Sequence, residues 1–456
     1  MRPLMLRGGR VIDPVAGIDG VYDVVVIDGR IDAVERAGSI ASPEGATTIE
    51  CAGLWIVPGL IDPHVHLRDP GFPQKETIIS GLRAAAAGGY TAVAAMANTY
   101  PVNDTPAITR YMLERAREAH AARLLPVAAV TVGLGGRELT DFAAMAEAGA
   151  ALFSDDGIPI DDEAILAHAF AEAARVGRGI SLHEEDRALT GHGACNAGAV
   201  AQRLGVAGIP IAAEARRMRR DLAIAVGSGL PVHLAHVSTA AGLDLVRAAR
   251  ARDAIVTCEA TPHHFMLDDQ AFARFGPDAK MAPPLRAADD VEAIRAALAD
   301  GTIDMIATDH APHDPLSKHR DRLVAHFAGE DEAGPLGPDD AQALATAANG
   351  VVGLETALGL ALDLVHRGVI DASRMVTLMA AAPARLLRLD GQGTLSPGTQ
   401  ADITVIDPDR AWTVAPAKFL SLSRNTPFRG MSLKGRAAYT IVAGEVVYSL
   451  AGAGES

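Results

Sequence analysis

The sequence predicts an α/β protein: a (β/α)8 barrel carrying a small β domain built from both chain ends. Three observations carry that prediction. Eight short apolar runs occupy the middle of the chain, most of them separated by helical patterns. The two ends are rich in strand and hairpin signals, yet neither is long enough to bury a good core alone. The 456 residues fit either about three domains of ordinary size or one large barrel with an attachment.

The N-terminal part of the small domain spans residues 1–56. Within it, 21–27 alternates loosely, Asp28-Gly29 is a hairpin signal, and 31–34 follows as a second strand. The barrel spans 57–390. Its strands are expected at 55–57 leading to His64, then at 91–97, 125–131, 151–154, 179–183, 231–236, 254–259 and 303–308. Helical patterns fall at 76–87, 105–122, 161–176, 240–252 and 289–299, with another near 353–367 after the last strand. The C-terminal part of the small domain spans 391–456, where 401–406 is apolar and β-branched and 439–447 repeats this around Ala443-Gly444.

Composition narrows the function. Nearly half the residues are hydrophobic (49%), which excludes a disordered chain. A formal net charge of −15 disfavours nucleic acid and acidic membrane surfaces as partners. Aromatic residues are few, so aliphatic side chains and alanine must fill the core. Cys51, Cys195 and Cys258 are odd in number and form no CxxC pair, which argues against a disulfide framework. The first ten residues lack a secretory pattern, and no run of about 18 apolar residues is free of charge or turn residues. The expectation is a soluble cytoplasmic protein.

In such barrels chemistry sits at the C-terminal ends of the strands. Strand one runs into Asp62-Pro63-His64-Val65-His66, whose two histidines share one face of an extended chain. Strand four runs into Ser154-Asp155-Asp156-Gly157, strand five ends at His183, strand six at His236, and strand eight at Thr308-Asp309-His310. A lone His or Asp at a strand end is more often a hydrogen-bonded structural residue. Five strand ends bringing such residues to one rim differ, because burying so many polar groups together is costly unless a metal compensates.

The donors are imidazoles and carboxylates without thiolate, which suits zinc in a catalytic role, one or two ions per chain. His64 and His66 would hold one metal, His183 and His236 a second, and two cations then need a bridging anion. A carboxylated lysine on strand four supplies it in many paired-metal barrels. This chain has no lysine between Lys75 and Lys280. The bridge therefore falls to Asp156 or to Asp155, only one of which can face the metals. Asp309 is left as proton carrier, metal ligand or both. His233 is expected to point off the barrel interior, His263 and His264 to support the site from behind, and His310 to face away from Asp309. The remaining histidines, apart from His313, read as solvated.

These residues resemble the signatures of dihydroorotases. Asp62 to Gly71 resembles the first; Ala307-Thr308-Asp309-His310-Ala311-Pro312-His313, followed by Lys318, resembles the second. The second is specific, whereas the first is shared more widely among cyclic amidohydrolases. The likeness continues through Met96-Ala97-Asn98-Thr99, His183-Glu184-Glu185, His236-Val237-Ser238-Thr239 and Thr261-Pro262-His263-His264, and spans nearly the whole chain. The aspartate-bridged pattern is similar to the type I bacterial group, whose Asp-Asp-Gly favours Asp156 over Asp155. The fold implied is a TIM barrel of the metal-dependent hydrolase type.

The resemblance implies reversible hydrolysis of dihydroorotate to N-carbamoyl-L-aspartate, the third step of pyrimidine synthesis. Metal-bound hydroxide would attack the ring amide carbonyl, with Asp309 shuttling the proton. The metal ligands implied are His64, His66, Asp156, His183, His236 and Asp309. The implied substrate contacts are His66, Arg68, Asn98, His313, Asn349 and Gly350, with Arg68 able to clamp the substrate carboxylate through a bidentate fork. Candidate macromolecular partners are a second copy of the chain, in a homodimer, and aspartate transcarbamoylase.

Two departures stand out. Ala282 occupies a position where the family usually has Asn, and Asn349-Gly350 stands where it often has Phe-Gly. The latter pair follows an insertion at 314–348 that carries seven acids. A loop this long is usually functional or disordered, and here a lid over the mouth is the functional alternative. Two competing functions remain. An allantoinase- or hydantoinase-like enzyme would typically use the missing lysine. A non-catalytic scaffold for aspartate transcarbamoylase would typically have lost metal ligands that are present here.

Overall fold

Eight parallel strands follow one another around a barrel in the computed structural model, which describes residues 2–327 and 334–452. They are Leu60–Val65, Tyr90–Ala95, Arg123–Ala128, Leu152–Phe153, Gly179–Leu182, Val232–Leu234, Val256–Ala260 and Met305–Ile306. Both faces of such a sheet are buried, and the first two strands are buried at every position. Beyond the last strand the ring closes on the first: His66 N donates to His310 O at 2.8 Å. The Asp62 carboxylate reinforces the seam by accepting from Thr308 N at 3.1 Å and Thr308 Oγ1 at 2.6 Å.

The helices between strands start where the sequence offers caps. Thr77 and Ser80 form a reciprocal capping box before Ile78–Ala87, and the Asp162 carboxylate caps Glu163–Arg175. The latter helix buries Leu166, Ala169, Phe170 and Ala173, a stripe at helical spacing that faces the barrel.

The chain ends pair into one sheet. Its order is Glu445–Ser449, Ser432–Val442, Ile403–Thr413, Trp55–Pro58, Leu4–Asp13, Ile18–Ile27 and Arg30–Arg36, with Thr47–Glu50 paired to Leu4–Asp13. Leu6, Val24, Ile56, Val405 and Ile441 share its core. Asp13 locks the ends together, accepting from Thr394 Oγ1 at 2.8 Å and Leu395 N at 2.6 Å. One expectation fails here. The run at 55–57 does not open the barrel; it pairs antiparallel with Ile403–Ile406, and the first barrel strand begins at Leu60. The apolar run from Leu54 to Ile61 carries no polar break. The handover occurs at Gly59, where an added Cβ would collide with the Thr91 side chain.

The insertion is largely built structure. Arg320–Phe327 and Pro338–Thr346 are helices. Leu323 and Leu344 are fully buried in a cluster with Val200, Leu204, Phe272 and Met281. Lys318 Nζ donates to Pro277 O and Lys280 O at 2.8 and 3.1 Å, and Lys280 Nζ to Ala345 O and Ala347 O at 2.7 and 2.6 Å. Glu330, Asp331 and Glu332 lie outside the described residues. Among the described residues, none between 314 and 348 lines the barrel mouth. No described helix is long and apolar enough to cross a membrane.

Candidate metal centre at the barrel mouth

The histidines and acids named from the strand ends meet in one place. His64, His66 and Asp156 form one group able to hold a metal ion, and Asp156, His183 and His236 form another. Within each group the donor atoms lie within 4.8 Å of one another, and all five residues are buried. Asp156 is common to both. Its Oδ1 lies 3.5 Å from His64 Nε2, 3.5 Å from His183 Nδ1 and 3.8 Å from His236 Nε2, while Oδ2 lies 3.5 Å from His66 Nε2.

The choice between neighbouring aspartates is plain in the geometry. Asp155 turns away from the mouth and accepts from Val130 N at 2.7 Å and Thr131 N at 3.1 Å. Burial lifts its pKa to about 6, against the pull of those donors. Asp156 is also buried, but the neighbouring imidazoles of His64, His183 and His236 outweigh that and hold it well below the usual carboxylate range. Burial likewise pushes His64 down, yet Asp156 and Glu259 raise its pKa well above the ordinary value.

The residues fit a bound cation. His64 Nε2 and Asp156 Oδ1 are buried and have no hydrogen-bond partner. Such atoms are costly to bury in isolation, and a divalent metal ion would satisfy both. Asp309 stands beside the first group, with Oδ1 3.0 Å from His66 Nε2 and 3.6 Å from His64 Nε2. Burial raises the Asp309 pKa, but the hydrogen bond from His66 and the neighbouring imidazoles more than reverse this, so the group is a carboxylate at neutral pH.

Three residues of the mouth carry positive φ without being glycine: Arg68 at 59°, His236 at 32° and Asp309 at 46°. This region is uncommon for such residues, and outliers of this kind cluster at functional sites. The turn at His236 corrects the expectation for His233. Regular alternation would put residues three apart on opposite faces. Here the backbone breaks at His236, and both imidazoles face the interior: His233 Nε2 lies 3.0 Å from Glu259 Oε2, whose other oxygen holds His64. His310 does face away from the mouth, with Nε2 3.5 Å from Glu76 Oε2. The His264 ring lies between Thr261 Oγ1 and Pro283 O rather than against the metal-facing residues.

The rest of the mouth holds the residues expected to touch substrate. A cavity of about 260 Å³ is lined by His66, Arg68, Asn98, His313, Asn349 and Gly350, and also by Ala282. Burial lowers Arg68 to about 10, which leaves it charged at neutral pH. Burial and the charges of Arg68, Lys318 and Lys75 keep His313 neutral. Its Nδ1 takes a hydrogen bond from Lys75 Nζ at 3.2 Å, so its Nε2–H is the donor and meets Asn349 O at 2.8 Å. Gly350 has φ 140°, and a Cβ there would sit 2.5 Å from Ala311 Cβ, so this close approach needs glycine.

A model of the family described as Dihydro-orotase-like matches residues 53–242. The dihydroorotase of Citrifermentans bemidjiense is 45% identical over 445 residues, covering 98% of this chain and 99% of that protein. That of Geobacter metallireducens is 46% identical over the same length and shares. The chain belongs to the dihydroorotase family. Its fold is also that of solved hydantoinases. The L-hydantoinase of Arthrobacter aurescens superposes with a TM-score of 0.83 at 25% identity, covering 98% of this chain and 96% of that one. A D-hydantoinase from Thermus sp. gives 0.79 at 24%, covering 98% and 95%.

In this dihydroorotase-family chain several residues that build the site were not singled out from sequence. Glu259 Oε1 lies 2.8 Å from His64 Nδ1; burial raises its pKa, but His64 and His233 pull it down to about 2. Glu185 Oε2 lies 3.3 Å from His183 Nε2. Asn98, expected from sequence only as a substrate contact, also braces the metal groups: its Oδ1 lies 2.9 Å from His66 Nδ1 and its Nδ2 3.3 Å from Asp156 Oδ2. Asn425, from the C-terminal segment, donates to Ala311 O at 3.0 Å and Gly350 O at 2.9 Å and accepts from His313 N at 3.0 Å. It joins the two loops of the mouth wall. Glu259 left a readable signal, an acid ending an otherwise uncharged strand; Asn425 left none.

Proposed function

We propose that the chain is a zinc-dependent dihydroorotase, interconverting dihydroorotate and N-carbamoyl-L-aspartate in pyrimidine synthesis. One observation supports this most strongly: Asp156 lies between the His64–His66 and His183–His236 pairs, with Asp309 beside them in the same mouth. The imidazole and carboxylate donors suit zinc, one or two ions per chain. When bound, the metal supplies Lewis acidity, polarising the ring amide carbonyl and making water nucleophilic near neutral pH.

The chain's own residues do the rest. Water adds to the amide carbonyl carbon, the ring C–N bond breaks, and the water's proton must reach the departing nitrogen. Asp309 carries it, accepting on a carboxylate that is ionised at neutral pH and returning it to nitrogen. Arg68 pairs with the substrate carboxylate through its planar fork. His313, held neutral with its Nε2–H engaged by Asn349 O, lines the same wall, and Asn98 adds amide contacts at the metal-facing side. Ala282 offers no side-chain donor, so contacts on that wall fall to Asn349 and the backbone at Gly350. Purified protein supplied with zinc should hydrolyse dihydroorotate, seen as loss of its ultraviolet absorbance. Turnover of allantoin or a hydantoin, with none of dihydroorotate, would overturn the assignment.

A further inference from the structure

Behind the metal-facing histidines lies a second row of buried polar residues. Glu259, at the end of the seventh strand, is almost fully buried (1% exposed). One of its oxygens accepts from His64 Nδ1 at 2.8 Å and from His236 N at 3.3 Å. The other accepts from His233 Nε2 at 3.0 Å. His233 Nδ1 in turn lies 2.9 Å from Thr257 Oγ1.

The protons along this row are fixed by what each group can do. An ionised carboxylate only accepts, so His64 Nδ1 and His233 Nε2 must both carry hydrogen. As the neutral ring with hydrogen on Nε2, His233 accepts at Nδ1 from the Thr257 hydroxyl. In the neutral, metal-binding form of His64 the lone pair is therefore on Nε2, the nitrogen that points at Asp156. Glu259 also reaches both metal groups at once, through the His64 ring and through the backbone of His236. Without His233, one Glu259 oxygen would be buried without its donor, and the carboxylate would be free to turn away from His64.

We propose that Glu259, held in place by His233, is a positioning residue that fixes the His64 tautomer and couples the two metal groups, and so sets zinc affinity. This rests on the metal-site reading but not on the identity of the substrate. Groups that orient metal-bound histidines this way typically change affinity by about 10–100-fold when removed.

The test is zinc titration of the metal-stripped full chain against a chromophoric chelator. Glu259→Gln cannot accept from both imidazoles, and should weaken zinc binding by about 10–100-fold. His233→Leu should weaken it in the same direction. His233→Gln, which can donate to Glu259 and accept from Thr257, should recover most of the affinity. Cobalt-loaded Glu259→Gln should also show a shifted visible spectrum. Unchanged zinc dissociation constants in both Glu259→Gln and His233→Leu would overturn the proposal while leaving the metal site standing. Failure of the unmodified chain to bind zinc would overturn both. If Glu259→Gln does not fold, the His233 pair still decides, because a purely structural role would not distinguish Leu from Gln by metal affinity at equal thermal stability.

Discussion

His183 Nδ1 and His236 Nε2 face each other across 3.0 Å at the mouth of the barrel. Two imidazole nitrogens at this separation either share a proton or turn their lone pairs on a cation. Asp156 lies against both, and on its other side against His64 and His66. The arrangement makes Asp156 the one residue common to the two metal groups. Asp156→Ala should therefore lower the zinc content of both groups, whereas His236→Ala should lower only one. Elemental analysis of the purified variants checks this, and equal losses in the two variants would contradict the bridging role.

Asp309 touches the first metal group without being needed to assemble either triad. Asp309→Asn should keep its zinc and lose about 10²–10⁴-fold in kcat, the usual worth of a proton carrier. Metal content and steady-state kinetics on one preparation separate the roles. Loss of zinc in step with loss of activity would reassign Asp309 as chiefly a ligand.

Arg68 is placed to bind rather than to react. A hydrogen bond to a charged group contributes about 1.5–3 kcal/mol, so Arg68→Met should raise KM for dihydroorotate about 10–100-fold. Arg68→Lys should recover only part of this, because an ammonium cannot present a planar fork. A change confined to kcat would place the substrate carboxylate elsewhere.

The buried lysines behind the mouth wall set a pH dependence. Burial lowers Lys318 to about 7 and Lys280 to about 8. In the unfolded chain a lysine titrates near ~10.4. Between these values the unfolded chain holds more protons than the folded one, so this contribution to stability grows as pH rises from about 7. Urea unfolding at pH 7 and pH 9 should show Lys318→Met losing about 1–2 kcal/mol of that rise relative to the unmodified chain. A difference independent of pH would contradict the assignment.

Leu323 and Leu344 make the insertion part of the folded body, since both are fully buried in a cluster shared with Phe272 and Met281. Leu344→Ala should cost about 2–5 kcal/mol in global unfolding. Deleting residues 321–340 should lower thermal stability, because it removes Leu323 from that cluster. A rise in KM with stability intact would favour a loosely attached lid.

The metal-facing residues were legible because chemistry in a (β/α)8 barrel is confined to strand ends, and a strand end is easy to find. His64, His66, Asp156, His183 and His236 each fall at or within a few residues of the end of an apolar run. The row behind them was not legible, for a backbone reason. Alternation assigns His233 to the outside, and only the positive φ at His236 reveals that both histidines face inward. Trp55–Pro58 misled for a related reason: apolarity shows that a strand is buried but not which sheet it joins, and the change of sheet at Gly59 is a tertiary fact. Asn425 reaches the mouth from the far end of the chain, a contact that no local pattern records.

Zinc held by His64, His66, Asp156, His183 and His236 would make the chain a dihydroorotase. The most direct test is to strip the metal from the purified protein, add zinc back in steps, and follow dihydroorotate hydrolysis and bound zinc in the same samples. Activity should be absent in the stripped protein and return in proportion to zinc bound, up to one or two ions per chain. Full activity without metal, or full zinc occupancy without turnover of dihydroorotate, would rule this function out.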